Sequence, residues 1–128
     1  MPGYHVALES ETLANDYFRR VLFTGPKCQL VLMTLQGGEE IGMETHADHD
    51  QFIRVEAGTG MAVMDGVEYA LKDGDAIVIP AGTQHNVVNT DPAKPMKLYT
   101  VYAPPEHPDG TVNKTKADGD AYAKARGE

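Results

Sequence analysis

The sequence predicts an all-β protein that folds as a single-domain antiparallel β-barrel or jelly roll. Its apolar runs are short, rich in Val and Ile, and bounded by Gly, Pro, Asp or Asn. Turn signals recur at close to the spacing of about 8–12 residues that is typical of sandwiches and barrels. No helical stretch separates the strands, so crossover helices are absent and the sheets are expected to be antiparallel.

Each predicted strand is followed by a turn. Asp65-Gly66 is the clearest turn, because an Asp-Gly pair suits the backbone angles of a two-residue hairpin. In chain order the predicted strands cover residues 18–23, 29–35, 41–46, 51–56, 61–64, 67–71, 76–79, 85–89 and 96–102. Before them, residues 8–16 are polar and predict one helical turn or an arm. After them, residues 117–126 are rich in Ala and Lys and predict a short helix that Gly119 weakens.

The length and composition favour one ordinary globular domain. The chain has 128 residues, of which 41% are hydrophobic and 23% are charged. This length allows one hydrophobic core and is too short for two. We expect a single domain over residues 1–128, with its core at about 17–103, an N-terminal arm at 1–16 and a C-terminal tail at 104–128.

The charge of the chain, its first residues and its single cysteine predict its partners, its location and the environment of Cys28. Lys and Arg total 11 against 19 Asp and Glu, which gives a net charge of −8. A negative surface repels phosphate backbones and anionic lipids, so neither a nucleic acid nor a membrane partner is expected. The first residues lack a basic stretch followed by an apolar run, and a cytoplasmic location is predicted. Cys28 is the only cysteine and is predicted to be a small buried side chain.

Four side chains are candidates for a metal site. Glu44 and His46 alternate along one strand and therefore point the same way. After a brief turn, Gln51 begins the partner strand and can face the same space. His85 opens another strand just after a Pro-Ala-Gly-Thr turn. Two imidazoles, one carboxylate and one amide oxygen suit a single divalent ion such as Fe, Mn, Ni or Zn.

The same residues resemble the two sequence motifs of the cupin superfamily, and the resemblance covers about residues 38–102. Matches to the first motif are Gly42, Glu44-x-His46, Gln51 and Gly58. Matches to the second motif are Gly74-Asp75, Pro80-x-Gly82, His85 and Asn89. The resemblance implies a cupin barrel of the small, single-domain type, with His46, Gln51, His85 and Glu44 around a metal.

The first motif departs from the family pattern at two positions. Gln51 stands where cupins usually carry Glu, and Glu44 stands where they carry the first His. Some metal-dependent cupins, such as the polyketide cyclases and the small uronate-metabolism cupins, use Gln among their ligands. Glu44 can ligate the metal or hydrogen-bond a ligand, and His49 competes with it for this role. Both are also candidate catalytic residues, because either can move a proton.

Alternation along the strands also predicts which side chains face the cavity. If Gln51 faces inward, Ile53 and Val55 do so too, whereas the register of residues 29–35 stays open. At most one of Tyr99 and Tyr102 faces inward. Asp48 and Asp50 are interpreted as turn residues. His5 and His107 lie outside the motifs and are interpreted as surface residues. His107 lies in a loop that can cover the barrel mouth.

Two functions remain open at this stage. The first is a metal-dependent enzyme that acts on a small oxygen-rich metabolite, as an oxidoreductase such as a dioxygenase, an isomerase, or a lyase or cyclase. The second is a non-catalytic module that binds a small ligand or a metal. A metal-free structural cupin is disfavoured, because the ligand positions remain polar. We also expect a homodimer with residues 18–23 at the interface, because exposed edge strands need cover.

Overall fold

The computed structural model describes all residues from 1 to 128. Its elements in chain order are α1 (Leu8–Ala14), β1 (Arg19–Thr24), β2 (Gln29–Leu35), β3 (Asp50–Ala57), β4 (Thr59–Met64), β5 (Val67–Lys72), β6 (Ala76–Ile79), β7 (His85–Asn89), β8 (Met96–Ala103), β9 (Val112–Asn113) and α2 (Lys116–Ala125). Six strands form one sheet in the order β6-β3-β8-β2-β1-β9, and three form another in the order β5-β4-β7. All strand pairs are antiparallel. The all-β class and the short C-terminal helix are thus confirmed, as two facing sheets of a jelly roll. Neither helix is long and apolar enough to cross a membrane.

The hydrophobic core lies between the two sheets and follows the predicted alternation of β3. Gln51, Ile53 and Val55 are all at most 2% exposed. On β2, the residues Val31, Met33 and Leu35 belong to the core cluster. Thr34 is buried on the opposite face of that strand, where its hydroxyl donates to the carbonyl of Asn15 just after α1. These contacts settle the register that the sequence left open.

Residues 41–46 do not form the predicted strand. This segment pairs with β7 only through isolated bridges, Glu40 with Val88 and Glu44 with His85. Between the two bridges lie three residues on this side, 41–43, but only two on β7, 86–87. The extra residue falls around Gly42, which has a φ of +110°. An extra residue of this kind bends a strand and re-aims the side chains that follow it. The prediction was wrong about the element, but the bend brings Glu44 opposite His85.

Two further expectations about the surface were wrong. Strand β1 is not an edge strand, because β9 pairs with it at Arg19 and Arg20. The chain after β8 returns to cover this edge, which no local pattern in β1 could indicate. Cys28 is exposed rather than buried. It lies in the turn before β2, where its carbonyl accepts a hydrogen bond from the Gly25 amide.

Helix α2 docks the C-terminal segment onto the body of the jelly roll. The Thr115 side chain caps its first turn by accepting a hydrogen bond from the Asp118 amide. Gly119 is buried, and a Cβ atom at this position would lie only 2.4 Å from the ring of Phe18. The glycine that weakens the helix on propensity alone is therefore the residue that lets the helix approach. This contact helps to hold the end of α2 beside the candidate site.

Candidate metal centre

Backbone hydrogen bonds fix the segment that carries Glu44 and His46 against the start of β7. The amide of Glu44 donates to the carbonyl of His85, and the amide of His85 donates back to the carbonyl of Glu44, both at 2.9 Å. In the turn before β7, the Gly82 amide donates to the carbonyl of His46 at 2.9 Å. Gly82 has a φ of +84°, which glycine adopts without strain. The second motif therefore positions residues of the first.

The side chains of Glu44, His46 and His85 converge. Their ligand atoms all lie within 4.8 Å of one another. The Glu44 Oε1 atom is 3.3 Å from His46 Nε2 and 3.9 Å from His85 Nε2. Both imidazoles are buried, with 8% and 4% of their side chains exposed, whereas 30% of the Glu44 side chain is exposed. Two imidazoles and a carboxylate in this arrangement are a common ligand set for divalent transition metals.

Three of the five buried side-chain atoms without a well-aligned hydrogen bond belong to candidate ligands, although one of them, His46 Nε2, lies 3.3 Å from Glu44 Oε1. They are His46 Nε2, Gln51 Oε1 and His85 Nε2. Leaving a buried polar atom unpaired costs about 1–3 kcal/mol. Each is also an atom through which that side chain binds metals, while the opposite ends of Gln51 and His85 are hydrogen-bonded. The Gln51 amide donates to Thr100 Oγ1 at 3.0 Å, and His85 Nδ1 lies 2.9 Å from the Thr83 carbonyl.

These three atoms and Glu44 fit a divalent cation. Because the Thr83 carbonyl can only accept, it fixes the proton on His85 Nδ1 and leaves Nε2 as a lone-pair donor. The Gln51 amide hydrogens point to Thr100, which leaves its oxygen as the free end. The donor set of nitrogen and oxygen atoms suits Fe, Mn, Ni or Zn. The sequence predicted these four residues, and the structure brings the ligand atoms of three of them, Glu44, His46 and His85, together.

The electrostatics of the centre are dominated by carboxylates. Contact with the Glu44 carboxylate raises the pKa of His46, against the opposing effect of burial, and Glu106 adds to the rise. A negative environment of this kind stabilises any positive charge at the same place. A cation can therefore replace the proton on His46.

His49 does not join the imidazole pair. Its Nδ1 atom lies 2.7 Å from the carbonyl of Pro104, and its Nε2 atom lies 2.7 Å from Glu106 Oε2. Both ring nitrogens are thus engaged by the loop after β8. Glu44 and His49 were alternative candidates for the same ligand position. Glu44 contacts the two imidazoles, whereas His49 contacts the loop after β8.

The loop at 104–110 carries two residues that sequence reasoning misjudged. Glu106 was missed, although only 8% of its side chain is exposed and its Oε2 atom lies 3.7 Å from His46 Nδ1. No spacing rule marks it, and its only signal is its position beside a histidine in a loop suspected of covering the mouth. His107 was expected at the surface but is buried. Its Nδ1 atom lies 2.8 Å from the hydroxyl of Tyr122 on α2.

A cavity of about 440 Å³ opens beside the centre. One wall is the bent segment at 41–46, which includes Glu44 and His46, and the other is formed by Ala123, Gly127 and Glu128. This volume lies within the range of about 300–1,000 Å³ that is usual for small-molecule sites. The C-terminal segment, predicted as a tail, therefore forms part of the site.

Comparisons with known proteins agree with this architecture. A family model described as "Cupin domain" matches residues 31–102. The uncharacterized protein YrkC of Bacillus subtilis is 48% identical over 88% of this chain, and the uncharacterized protein L612 of Acanthamoeba polyphaga mimivirus is 45% identical over 86% of it. This chain spans 63% of the length of YrkC and 71% of that of L612. The crystal structure of BH2720 from Bacillus halodurans superposes with a TM-score of 0.91 at 48% identity, covering 94% of this chain and 95% of that one.

Proposed function

This chain belongs to the cupin domain family, and we propose that within this family it is a metal-dependent enzyme acting on a small, oxygen-rich metabolite. The observation that carries the proposal is the set of buried, unpaired atoms on His46, Gln51 and His85, with Glu44 beside them. We propose these four side chains as the ligands of one divalent ion, Fe, Mn, Ni or Zn. We also propose that residues 1–128 form a single domain.

The open side of the centre supports a role in catalysis. Glu44 lines the cavity and is the most exposed of the clustered side chains, so a molecule in the cavity meets it directly. When bound, a divalent ion supplies Lewis acidity that polarises a substrate oxygen. The reactions that suit such a site are dioxygenation, isomerisation, and lyase or cyclase chemistry.

Two groups can handle a proton at this site. Glu44 has two carboxylate oxygens, so that one can bind the ion while the other accepts a proton from the substrate. His49 does not line the cavity, but it holds a proton close by. The Pro104 carbonyl only accepts, so His49 Nδ1 carries a hydrogen, and the Nε2 atom lies 2.7 Å from Glu106 Oε2. We propose Glu44 as the base and His49 as a residue that acts through Glu106.

Turnover should depend on Glu44 more strongly than binding does. The metal-loaded protein is screened against sugar acids, keto acids and catechols, with oxygen uptake and product formation recorded together. For any substrate found, Glu44→Gln at the same metal content as the wild type should lower kcat by about 100-fold or more, with a smaller change in substrate affinity, because the amide can offer an oxygen to the ion but cannot accept the proton. Glu68→Gln, on an exposed residue of β5, is the matched control and should leave kcat unchanged.

A binding module is the competing function, and the same screen separates the two. If some compounds bind tightly only when the metal is present and none is turned over, the enzyme proposal is wrong and the module is favoured. A cytoplasmic location and the absence of nucleic-acid partners remain predictions, the second supported by the net charge of −8.

We also propose that the protein is a homodimer in which β1 contributes to the interface. An apolar row crosses the outer face of the larger sheet, because the register places Val78, Phe52, Val101, Leu30 and Phe23 side by side. Val78 is 62% exposed, and Tyr4 stacks on Phe23 at the other end. Such a row is shielded from water if two copies pack face to face.

Light scattering should give twice the chain mass at micromolar concentration, and Val78→Asp should shift the measured mass toward that of the monomer. A monomeric wild type would contradict the proposal.

A further inference from the structure

The cavity beside the centre has negative groups on its wall and no positive ones. Glu44 contributes one carboxylate and Glu128 another, from opposite sides, and neither Lys nor Arg lines it. His46 also lines the cavity, and its Nε2 atom is buried and unpaired. The cavity is therefore the route by which a ligand reaches the proposed metal, and its charge acts on whatever enters.

The cationic side chains nearest to the cavity are committed elsewhere. Arg126 donates to the Glu106 carbonyl at 3.0 Å and to the hydroxyl of Tyr122. Lys116 pairs with Asp120 and lies 3.4 Å from the carbonyl of Ile41. Neither side chain lines the cavity, although the charge of Arg126 still acts on Glu128.

The carboxylates around the cavity also act on one another. Burial raises the pKa of Glu128, Arg126 opposes this rise, and the carboxylates of Glu106 and Glu44 add smaller increases. Glu128 is exposed and lies within electrostatic reach of two other carboxylates. An additional anion on this side of the cavity would meet the same repulsion, reduced by the solvent around Glu128.

We infer that this site takes a neutral or positively charged ligand and that Glu128 is the residue that disfavours anions. The inference rests on the proposed function, because the ligand is held at the metal by its own oxygens while the rest of it faces Glu128. The substrate class is then neutral polyhydroxy compounds or amines bearing hydroxyl groups. Sugar acids and keto acids with a carboxylate beyond the chelating oxygens are poor ligands.

A charge series of ligands tests this inference. The metal content of the full chain is measured first, and the loaded protein is then titrated calorimetrically with 4-methylcatechol, 3,4-dihydroxybenzoate and dopamine. All three share the same vicinal diol and differ in the charge of the distal group. Because their intrinsic strengths as chelators differ, the readout for each compound is the ratio of the dissociation constants of the wild type and Glu128→Gln.

Glu128→Gln should tighten the binding of 3,4-dihydroxybenzoate by about fivefold and change that of 4-methylcatechol by less than about 1.5-fold. Dopamine should bind more weakly to the variant. Glu68→Gln removes the same charge from an exposed site on β5 and should alter none of the three. If the protein loads with metal and the ratio of dissociation constants stays near one for all three compounds, the inference is overturned while the metal centre stands. If Glu128→Gln weakens all three equally, Glu128 is only a structural part of the wall. If no metal binds, both the inference and the proposed function fall.

Discussion

Replacing His85 by Ala should lower the affinity for a divalent metal by more than about 100-fold. Changes to residues that merely orient a ligand cost about 10–100-fold, and loss of a ligand costs more. His85 is the most buried of the clustered side chains, and its Nε2 atom has no hydrogen-bond partner. The backbone pairing of β7 does not involve this side chain, so the fold should persist.

Elemental analysis after dialysis against a weak chelator measures this effect, and circular dichroism checks the fold. His5→Ala is the matched control, because His5 is exposed and lies outside the motifs. It should retain the metal content of the wild type. If His85→Ala holds metal as firmly as the wild type, the ion is bound elsewhere.

The second large effect is a loss of stability in acid that depends on His107. Burial, with Arg19 and Arg126 nearby, lowers the pKa of His107 from 6.5 to about 3, and His46 and His49 contribute to the lowering. The unfolded chain therefore takes up a proton below pH 6.5 that the folded protein refuses until about pH 3. Stability is unaffected above pH 6.5 and falls below it by about 1.4 kcal/mol per pH unit, or about 2 kcal/mol at pH 5.

His46 changes the stability with pH in the opposite direction to His107, so a variant is needed to isolate the contribution of His107. The pKa of His46 is raised, so its contribution to stability is present at low pH and is lost as the pH rises through the raised pKa. The pH dependence of the stability of the wild type contains the contributions of both histidines, whereas His107→Gln removes only the contribution of His107. Gln retains a group that can accept the hydrogen bond from Tyr122 and does not titrate.

Denaturant unfolding of the metal-free protein at pH 7 and pH 5 measures the difference. The wild type should lose about 2 kcal/mol more than His107→Gln between these values. His5→Gln, on an exposed histidine, should behave like the wild type. Equal losses in the wild type and His107→Gln would show that His107 is protonated as readily in the folded state as in the unfolded chain.

The parts of the fold that the sequence predicted best are those decided by local chemistry. Strands β2, β6 and β7 begin and end where the sequence analysis placed them, because turn residues bound each one. The inward register of β3 followed from alternation alone. Residues 41–46 were harder, because the positive φ of Gly42 bends a segment whose composition still suits a strand.

The candidate site was predicted as far as its motifs reach. Glu44, His46 and His85 come together because turns and hairpins at fixed spacing carry them. The choice between Glu44 and His49 depended on the Pro104 carbonyl and on Glu106, which lie on a loop more than fifty residues further along the chain. The wall formed by the end of α2 depends in turn on a glycine packed against Phe18. Long-range contacts of this kind leave no periodic trace in the sequence.

A single divalent ion bound between His46, Gln51, His85 and Glu44 can be located directly by anomalous diffraction. Crystals of the full chain are loaded with one equivalent of zinc, and data are collected on both sides of the zinc absorption edge. The predicted result is one strong peak about 2.0–2.2 Å from the two Nε2 atoms, from Gln51 Oε1 and from a carboxylate oxygen of Glu44. A fully occupied zinc ion at another place, or no peak in zinc-loaded crystals, would contradict the metal centre.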